Sequence, residues 1–376
     1  MTSSPPLAAS ATAAAGPRPG STSPGTTGPA GAGGTGAGGR TAAPRRRRGL
    51  LLGLAGLVVA LLLVSMLSIV LGARPVPVDV VIDALTDHQP GNSDHKVVVD
   101  RIPRLVAGLL VGAALGLAGV VMQAITRNPL ADPGLLGINA GAAFAVVCAI
   151  SLLGLTTPVG YVWFAFTGAA AVAVLVYAIS SVGREGATPV KLALAGAAVH
   201  AALTSLTTAV LLNDATTFDQ HRFWTVGALT GRRWEMITQI GPFILVGAAA
   251  ALCTGRLLNA LALGEDVARG LGQRVGLVRA GTTATAVVLC GAATAIAGPI
   301  WFAGLLAPHA ARIITGPDHR WILPYSMLIS AVLVMTADVV GRLIARPGEV
   351  QVGIVLSFIG APFLILLIRR RRLSGL

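Results

Sequence analysis

The chain has 376 residues, of which 54% are apolar and only 11% are charged, and its net charge is +13. A soluble fold of this length needs many more charged side chains to cover its surface. The arginines stand at the ends of apolar runs rather than on a basic face with interleaved aromatics, which argues against a nucleic-acid partner. The composition therefore predicts an all-α integral membrane protein whose basic residues set topology and contact anionic lipid.

The first 48 residues differ from the rest of the chain. They are mostly Ala, Gly, Pro, Ser and Thr without apolar periodicity, and they end in the run Arg45–Arg48. Such a segment cannot bury enough surface to offset the entropy of ordering, so we expect a disordered tail over 1–48. The uncharged run Gly49–Ala73 follows directly. Its length fits a first membrane span with a cytoplasmic N-terminus.

Further apolar runs bring the prediction to ten spans within 49–370. They are Leu105–Thr126, two in Pro133–Gly183 divided at 156–160, Leu192–Asn213, Met236–Gly255, two in 280–315 broken at Gly298-Pro299 and Pro308, Trp321–Ala337 and Val350–Ile368. Hydropathy alone is compatible with eight to ten spans, and the ambiguity lies in 299–320. An even number places both termini on one side. Because four consecutive arginines stand near each terminus, we expect both termini in the cytoplasm.

Two glycine- and alanine-rich segments resemble each other. GAALGLAG occupies 112–119 and GAATAIAG occupies 291–298. In the predicted topology their spans run in opposite directions, as an inverted repeat requires. Chance is the alternative, because Gly and Ala are abundant throughout the chain. The small residues themselves indicate close helix packing.

The sequence offers no catalytic chemistry. Neither lysine, Lys96 nor Lys191, lies in a GxxxxGK[ST] nucleotide-binding loop, and neither HExxH nor GxSxG occurs. The three cysteines lie far apart in apolar runs and show no metal-ligand spacing. We therefore expect neither an enzyme nor a cofactor. If the protein moves a solute uphill, the energy comes from a partner ATPase or from an ion gradient.

Four polar segments stand out against this apolar background. Arg101-Ile102-Pro103-Arg104 opens the second span, where the arginines could simply snorkel to the interface. Gln123 and the proline-rich stretch 128–133 predict an abrupt turn after that span. Residues 263–274 predict a short polar helix with a glycine stop. Asp338 and Arg342 are spaced to pair on one helix, which lowers their cost of insertion.

These segments resemble the FecCD-type permeases, the membrane subunits of ABC importers for iron siderophores, haem and cobalamin. The resemblance extends from about residue 50 to 370. It rests on the arginine pair at 101–104, on the pattern Q…NPLA.P..LG from 123 to 137, on LGE..A..LG at 263–272, and on GPIWFAGLLAPH at 298–309. It implies a type II ABC importer permease architecture of about ten helices.

The resemblance also implies roles for particular residues. Docking of an acidic binding protein would fall to Arg101, Arg104 and Arg342. Coupling to the ATPase would fall to the helix at 263–274, through Gly264, Glu265, Ala268, Leu271 and Gly272. The translocation pathway and its gate would include Gln123, Asn128, Pro129, Pro189 and Val190. No residue is implied as a metal ligand.

The implied partners are a cytoplasmic ABC ATPase dimer, an extracytoplasmic substrate-binding lipoprotein and a second permease copy or sister permease. The implied substrate is a ferric siderophore, with cobalamin or haem as alternatives. Departures from the family pattern at Trp301, Pro347-Gly348 and Gln351 weaken inference about the substrate. An ion-coupled secondary transporter is the rival class. It would need buried carboxylates within the spans, and only Asp338 qualifies.

Overall fold

A computed structural model describes residues 42–373, except 73, 75, 88, 90 and 184–187. Within these residues the fold consists of α-helices and one short 3₁₀ helix at Pro133–Leu136, without a β-strand. Most of the predicted tail over 1–48 lies outside the described residues, and the first helix begins at Ala42.

Fourteen α-helices follow one another in the described part of the chain. They are α1 Ala42–Val70, α2 Val78–Thr86, α3 Ser93–Thr126, α4 Ile138–Leu153, α5 Pro158–Ser180, α6 Pro189–Asn213, α7 Ala215–Thr225, α8 Trp234–Cys253, α9 Gly255–Ala262, α10 Glu265–Gly270, α11 Val275–Ala297, α12 Ala303–Thr315, α13 His319–Ile344 and α14 Val352–Leu373.

The helices reproduce the predicted spans. Among the described residues, seven helices are long and apolar enough to cross a membrane, namely α1, α3, α5, α6, α8, α11 and α13. Two shorter apolar helices, α4 and the first part of α14, and the 13-residue α12 complete the set of ten. Each predicted span corresponds to one of these ten, so the prediction of an all-α membrane protein with about ten such helices is confirmed.

The break between α11 and α12 lies where the glycine and proline predicted it. Gly298 has φ 75°, and a Cβ there would collide with the backbone carbonyl oxygen of Trp224, so both conformation and space require glycine. The prediction of a second break at Pro308 is wrong, because Pro308 lies inside α12. A proline removes one backbone hydrogen bond, and the helices packed around a buried α12 support it there.

The longest helix, α3, lies at the centre of the bundle and packs against α8, α11, α12 and α13. Its glycines make this possible. A Cβ on Gly112 would stand 2.6 Å from the Cα of Ala331, and one on Gly116 or Gly119 would strike a backbone carbonyl oxygen of α13 or α12. The backbones therefore touch directly, which is how helices associate where lipid removes the hydrophobic driving force. The predicted close packing through small residues is confirmed.

The two similar segments lie at different places on their helices. GAALGLAG is buried in the middle of α3, whereas GAATAIAG runs to the residue after the end of α11. The two helices pack against each other. The inverted repeat stays a prediction.

We expect Gly119→Leu to destabilise the bundle by about 1–3 kcal/mol or more, because the new side chain would displace the backbone of α12 at Gly304. Thermal unfolding of the detergent-solubilised protein measures this. Gly281→Ala is the matched control, since Gly281 is an exposed helical glycine with open space at its Cβ position. That variant should unfold at the same temperature or slightly higher. Equal unfolding temperatures for both variants would contradict the packing described.

Candidate functional site

The first polar cluster lies at the beginning of α3. The guanidinium of Arg101 donates to the backbone carbonyls of Ile69 and Val70 at 2.5 and 3.0 Å and to that of Arg74 at 2.6 Å. The last carbonyls of a helix have no partner within it. Arg101 therefore closes the C-terminal end of α1 and ties that end to α3.

A buried carboxylate lies at the centre of the same cluster. Asp338 of α13 accepts a hydrogen bond from Arg104 Nη2 at 2.8 Å and forms an ion pair with Arg342 Nη2 at 2.9 Å. Arg104 also bonds to Glu349 at 2.8 Å, and Arg342 donates to the backbone carbonyl and the hydroxyl of Ser68 at 2.9 and 2.7 Å. Asp338 and Arg342 are 1% and 2% exposed. The three arginines predicted for docking are therefore brought together, and each is bonded to this chain's own groups.

An open, charged cavity of about 780 Å³ lies beside these arginines. Its lining includes the exposed side chains of Arg74, Lys96 and Arg233 and the half-buried Glu349. Burial raises the pKa of Glu349, but the adjacent guanidinium of Arg104 outweighs it, so the pKa lies below its usual range. These four residues were missed by the sequence analysis, because no spacing or motif connects residues so far apart in the chain.

The second polar cluster lies in the connection between α8 and α11. Glu265, at the start of α10, pairs with Arg269 at 3.1 Å and with Arg279 of α11 at 2.5 Å. The hydrogen bond from Arg279 lowers the pKa of Glu265 below its usual range. Gly264 and Gly272 have φ of 115° and 80°, so α10 lies between two glycine turns. The carboxylate thus fastens α10 to the bundle.

In α10 and the residues on either side of it, some apolar side chains are buried and others are exposed. Ala268 is fully buried against the bundle, whereas Leu263, Val267 and Leu271 are 66%, 49% and 64% exposed. Val267 and Leu271 are four residues apart and lie on one side of α10, and Leu263 is exposed across the turn at Gly264. The predicted coupling segment therefore presents an apolar outer face. Ala268, one of the residues that the family resemblance implies for coupling, makes the inner contact with the bundle.

The two clusters lie at opposite ends of α3. Arg104 and Arg127 are separated by 23 helical steps, or about 35 Å. Arg127 follows the last residue of α3, and its guanidinium donates to the backbone carbonyl of Leu261 in α9 at 3.2 Å. The central helix therefore contacts the arginine cluster at one end and the α9–α10 segment at the other.

The predicted pathway residues fall into separate environments. Gln123 is buried in α3, where it accepts from Arg312 and donates to the backbone carbonyl of Leu305 at 3.4 Å. Asn128 organises the turn after α3 by accepting from the N–H of Leu130 at 2.9 Å. Pro129 lies in the same turn, Pro189 begins α6, and Val190 is exposed. The residues just before Pro189, at 184–187, lie outside the described residues.

The fold and its two end clusters define a polytopic α-helical membrane protein. The model of the FecCD transport family matches residues 60–370, and the chain belongs to this family. The ferric enterobactin transport system permease protein FepD of Escherichia coli (strain K12) is 44% identical over 321 residues, which are 85% of this chain and 96% of FepD.

Two further proteins extend the comparison. The Fe(3+)-citrate import system permease protein YfmD of Bacillus subtilis (strain 168) is 44% identical over 272 residues, covering 72% of this chain and 80% of YfmD. A solved structure of a metal-chelate type ABC transporter in an inward-facing conformation superimposes with a TM-score of 0.73 and 26% identity. That match covers 84% of this chain and 98% of the other.

We expect Asp338→Asn to destabilise the protein by about 3–5 kcal/mol, because it leaves the buried Arg342 without a counter-charge and leaves Arg104 with Glu349 alone. Asp219→Asn is the control, since Asp219 forms an exposed pair with Arg222 at 3.3 Å, which is worth about 0–1 kcal/mol. Thermal unfolding in detergent compares the two. An unfolding temperature of Asp338→Asn no lower than that of the control would contradict the central position of this carboxylate.

Proposed function

We propose that the chain is the transmembrane permease subunit of a binding-protein-dependent ABC importer for ferric siderophores or similar iron chelates. The observation that carries the proposal is the apolar outer face of Leu263, Val267 and Leu271, which is exposed outside the long spans and fixed to the bundle by Glu265. The similarity to the enterobactin permease supports the substrate class. The chain does no covalent chemistry in this scheme.

The partner at α10 is a cytoplasmic ABC ATPase, present as a dimer. A contiguous apolar surface rimmed by polar groups is typical of a protein-binding site. Arg269 and Asp266 supply the polar rim beside the three apolar side chains. The pair Glu265–Arg279 would keep α10 attached to α11 while the ATPase moves the segment. The turns at Gly264 and Gly272 would allow α10 to project from the helices that precede and follow it.

The partner at the opposite end is an extracytoplasmic binding protein that delivers the chelate. Arg101, Arg104 and Arg342 bond to groups of this chain. Their role in docking would therefore be to fix the position of the helices whose surface the binding protein contacts.

Acidic residues of the binding protein would meet the charges of the cavity rim, Arg74 and Arg233. These arginines pair with Asp94 and Glu235 at 2.6 and 3.9 Å, but they remain exposed to solvent and can exchange those partners. Complementary charges at such a rim speed association and select orientation more than they add affinity.

A second permease copy, identical or a sister chain, would complete the pathway. The helices α1 and α6 bury little of their surface within this chain, and α6 exposes the hydroxyls of Thr204, Ser205 and Thr208. We propose that α6 faces the pathway, with Pro189 and Val190 at its gate. Gln123, Asn128 and Pro129 would form the neighbouring part of the gate between α3 and the 3₁₀ helix.

The proposed topology places the protein in the plasma membrane with both termini cytoplasmic. The α10 end then faces the ATP supply, and the arginine cluster faces outward. An ion-coupled transporter is the weaker alternative. The carboxylate that such a mechanism would use, Asp338, is bonded to two arginines and is therefore a poor proton carrier.

We expect Leu271→Asp to abolish co-purification of the ATPase and ATP-dependent uptake of a labelled ferric siderophore in proteoliposomes. The charge would lie in the apolar face, where desolvating it is costly. Val78→Asp is the control, since Val78 is 56% exposed on α2 at the other end of α3, and it should retain the ATPase. Uptake without ATP, or uptake driven by an imposed proton gradient, would refute the importer and favour the secondary transporter.

We expect Arg233→Glu to slow delivery of the chelate by the binding protein several-fold, with a larger effect at low salt than at high salt. Initial uptake rates at two salt concentrations measure this. Arg222→Glu is the control, because Arg222 is a similarly exposed arginine of α7 and does not line the cavity. A salt-independent loss, or an equal loss in the control, would contradict docking at this rim.

A further inference from the structure

The segment that carries the apolar face consists of two short helices. α9 ends at Ala262, and α10 starts at Glu265 after the glycine turn at Gly264. Leu258 and Leu261 of α9 are buried in the bundle. Because α9 is seated in the bundle and α10 projects from its end, a force on α10 reaches the bundle through the contacts of α9 as well as through Arg279.

One of these contacts is made by the side chain of Asn259 to the start of α13. Its Nδ2 donates to Oδ1 of Asp318 at 2.7 Å, and its Oδ1 accepts from the backbone N–H of His319 at 2.8 Å. The same Oδ1 lies 2.9 Å from Nδ1 of His319. A single amide therefore bonds both to the N-cap residue of α13 and to a backbone donor at its first turn.

The side chain of Asp318 is itself held in place by several hydrogen bonds. Its carboxylate also accepts from the N–H of Arg320 at 3.0 Å and from the Arg320 guanidinium at 2.9 Å. The hydrogen bonds from Arg320, assisted by that from Asn259, lower the pKa of Asp318 to about 2. The carboxylate is therefore ionised at neutral pH, and the bond from Asn259 is charge-assisted. The backbones are also close, since a Cβ on Gly255 would stand 3.1 Å from the Cα of Arg320.

The helix that starts at this attachment ends at the arginine cluster. α13 has 26 residues and is about 39 Å long. Asp338 and Arg342 lie near its C-terminal end and bond to α3 and α1. Between its ends, α13 packs on the glycine face of α3 at Gly112 and Gly116. A displacement of its N-terminus can therefore reach the opposite end of the bundle through this single helix, which contains Pro324 in its second turn.

We propose that Asn259 is a positioning residue that transmits movement of α10 to α13, and through α13 to the arginine cluster. This inference rests on the proposed function, because it requires an ATPase that acts on α10. It adds the link between the ATP-driven end and the end that receives the chelate. Asn259 is half-buried and belongs to α9, whereas Val267 and Leu271 lie beyond the turn at Gly264.

Exchanges between Asn and Asp, whose side chains have nearly the same size and shape, test the contact between Asn259 and Asp318. Asn259→Asp replaces the donor to Asp318 with an oxygen and sets two carboxylates against each other. In the double variant Asn259→Asp/Asp318→Asn, the amide at 318 can donate to the carboxylate at 259, which keeps an oxygen for the backbone N–H of His319. The amide nitrogen then takes the place of Asp318 Oδ1, so the backbone N–H of Arg320 bonds to the remaining oxygen at 318 instead. The double variant thus restores the contact with the two chemical groups exchanged, which a double-mutant cycle detects.

The experiment uses the full chain with its ATPase and binding protein in proteoliposomes. Three quantities are measured for each variant: co-purification of the ATPase, ATP hydrolysis, and uptake of radiolabelled ferric catecholate, hydroxamate and citrate chelates. Asn92→Asp is the matched control, because Asn92 caps α3 by accepting from the backbone N–H of Asp94 at 2.9 Å, a bond that a carboxylate also accepts, and it does not line the charged cavity. It should behave as wild type.

We expect Asn259→Asp to lose uptake about tenfold or more, the effect of losing a hydrogen bond to a charged group, while ATPase co-purification and hydrolysis stay within about twofold of wild type. The double variant should recover most of the uptake. Full uptake by Asn259→Asp, no recovery in the double variant, or loss of ATPase binding in parallel with uptake would each overturn the inference. A wild-type protein without ATP-dependent uptake would instead refute the proposed function on which the inference rests.

Discussion

The absence of side chains on one face of α3 is the constraint on which the rest of the structure depends. Lipid tails are as apolar as leucine, so helices in a bilayer gain little from hydrophobic burial and must associate through close packing. Gly112, Gly116 and Gly119 let α12 and α13 approach α3 until backbone meets backbone. This contact places the start of α13 beside α9 and its end beside Arg104.

The polar groups of the bundle are concentrated at its two ends, and they act differently there. At one end the charges face inward: Asp338 is surrounded by guanidiniums, and Arg101 closes the end of α1. At the other end the charges support an apolar surface, since Glu265 and Arg279 hold α10 while Val267 of α10 and the flanking Leu263 and Leu271 remain exposed. The inward-facing charges make the first end of the bundle rigid. The exposed apolar side chains at the other end offer a surface to a partner protein.

Much of the fold could be predicted from the sequence, because a bilayer accepts few solutions. A run of about twenty uncharged residues must form a helix to satisfy its backbone, which is why the ten spans were found from hydropathy and glycine–proline breaks. Pro308 shows the limit of this reasoning. A proline ends a helix that stands alone, but neighbouring helices can support it, and the sequence does not say which neighbours are present.

The candidate site, like the fold, could be predicted from the sequence only in part. The sequence by itself determined the membrane class and the spans, because these follow from local composition and spacing, while the resemblance to the FecCD family supplied the expectation that Arg101, Arg104 and Arg342 share one role. Only the tertiary structure decided that those arginines are bonded internally, that Glu349 and Arg233 line the same cavity, and that Asn259 meets Asp318. These contacts join residues dozens to hundreds of positions apart, and such pairings are set by how helices pack rather than by any local pattern.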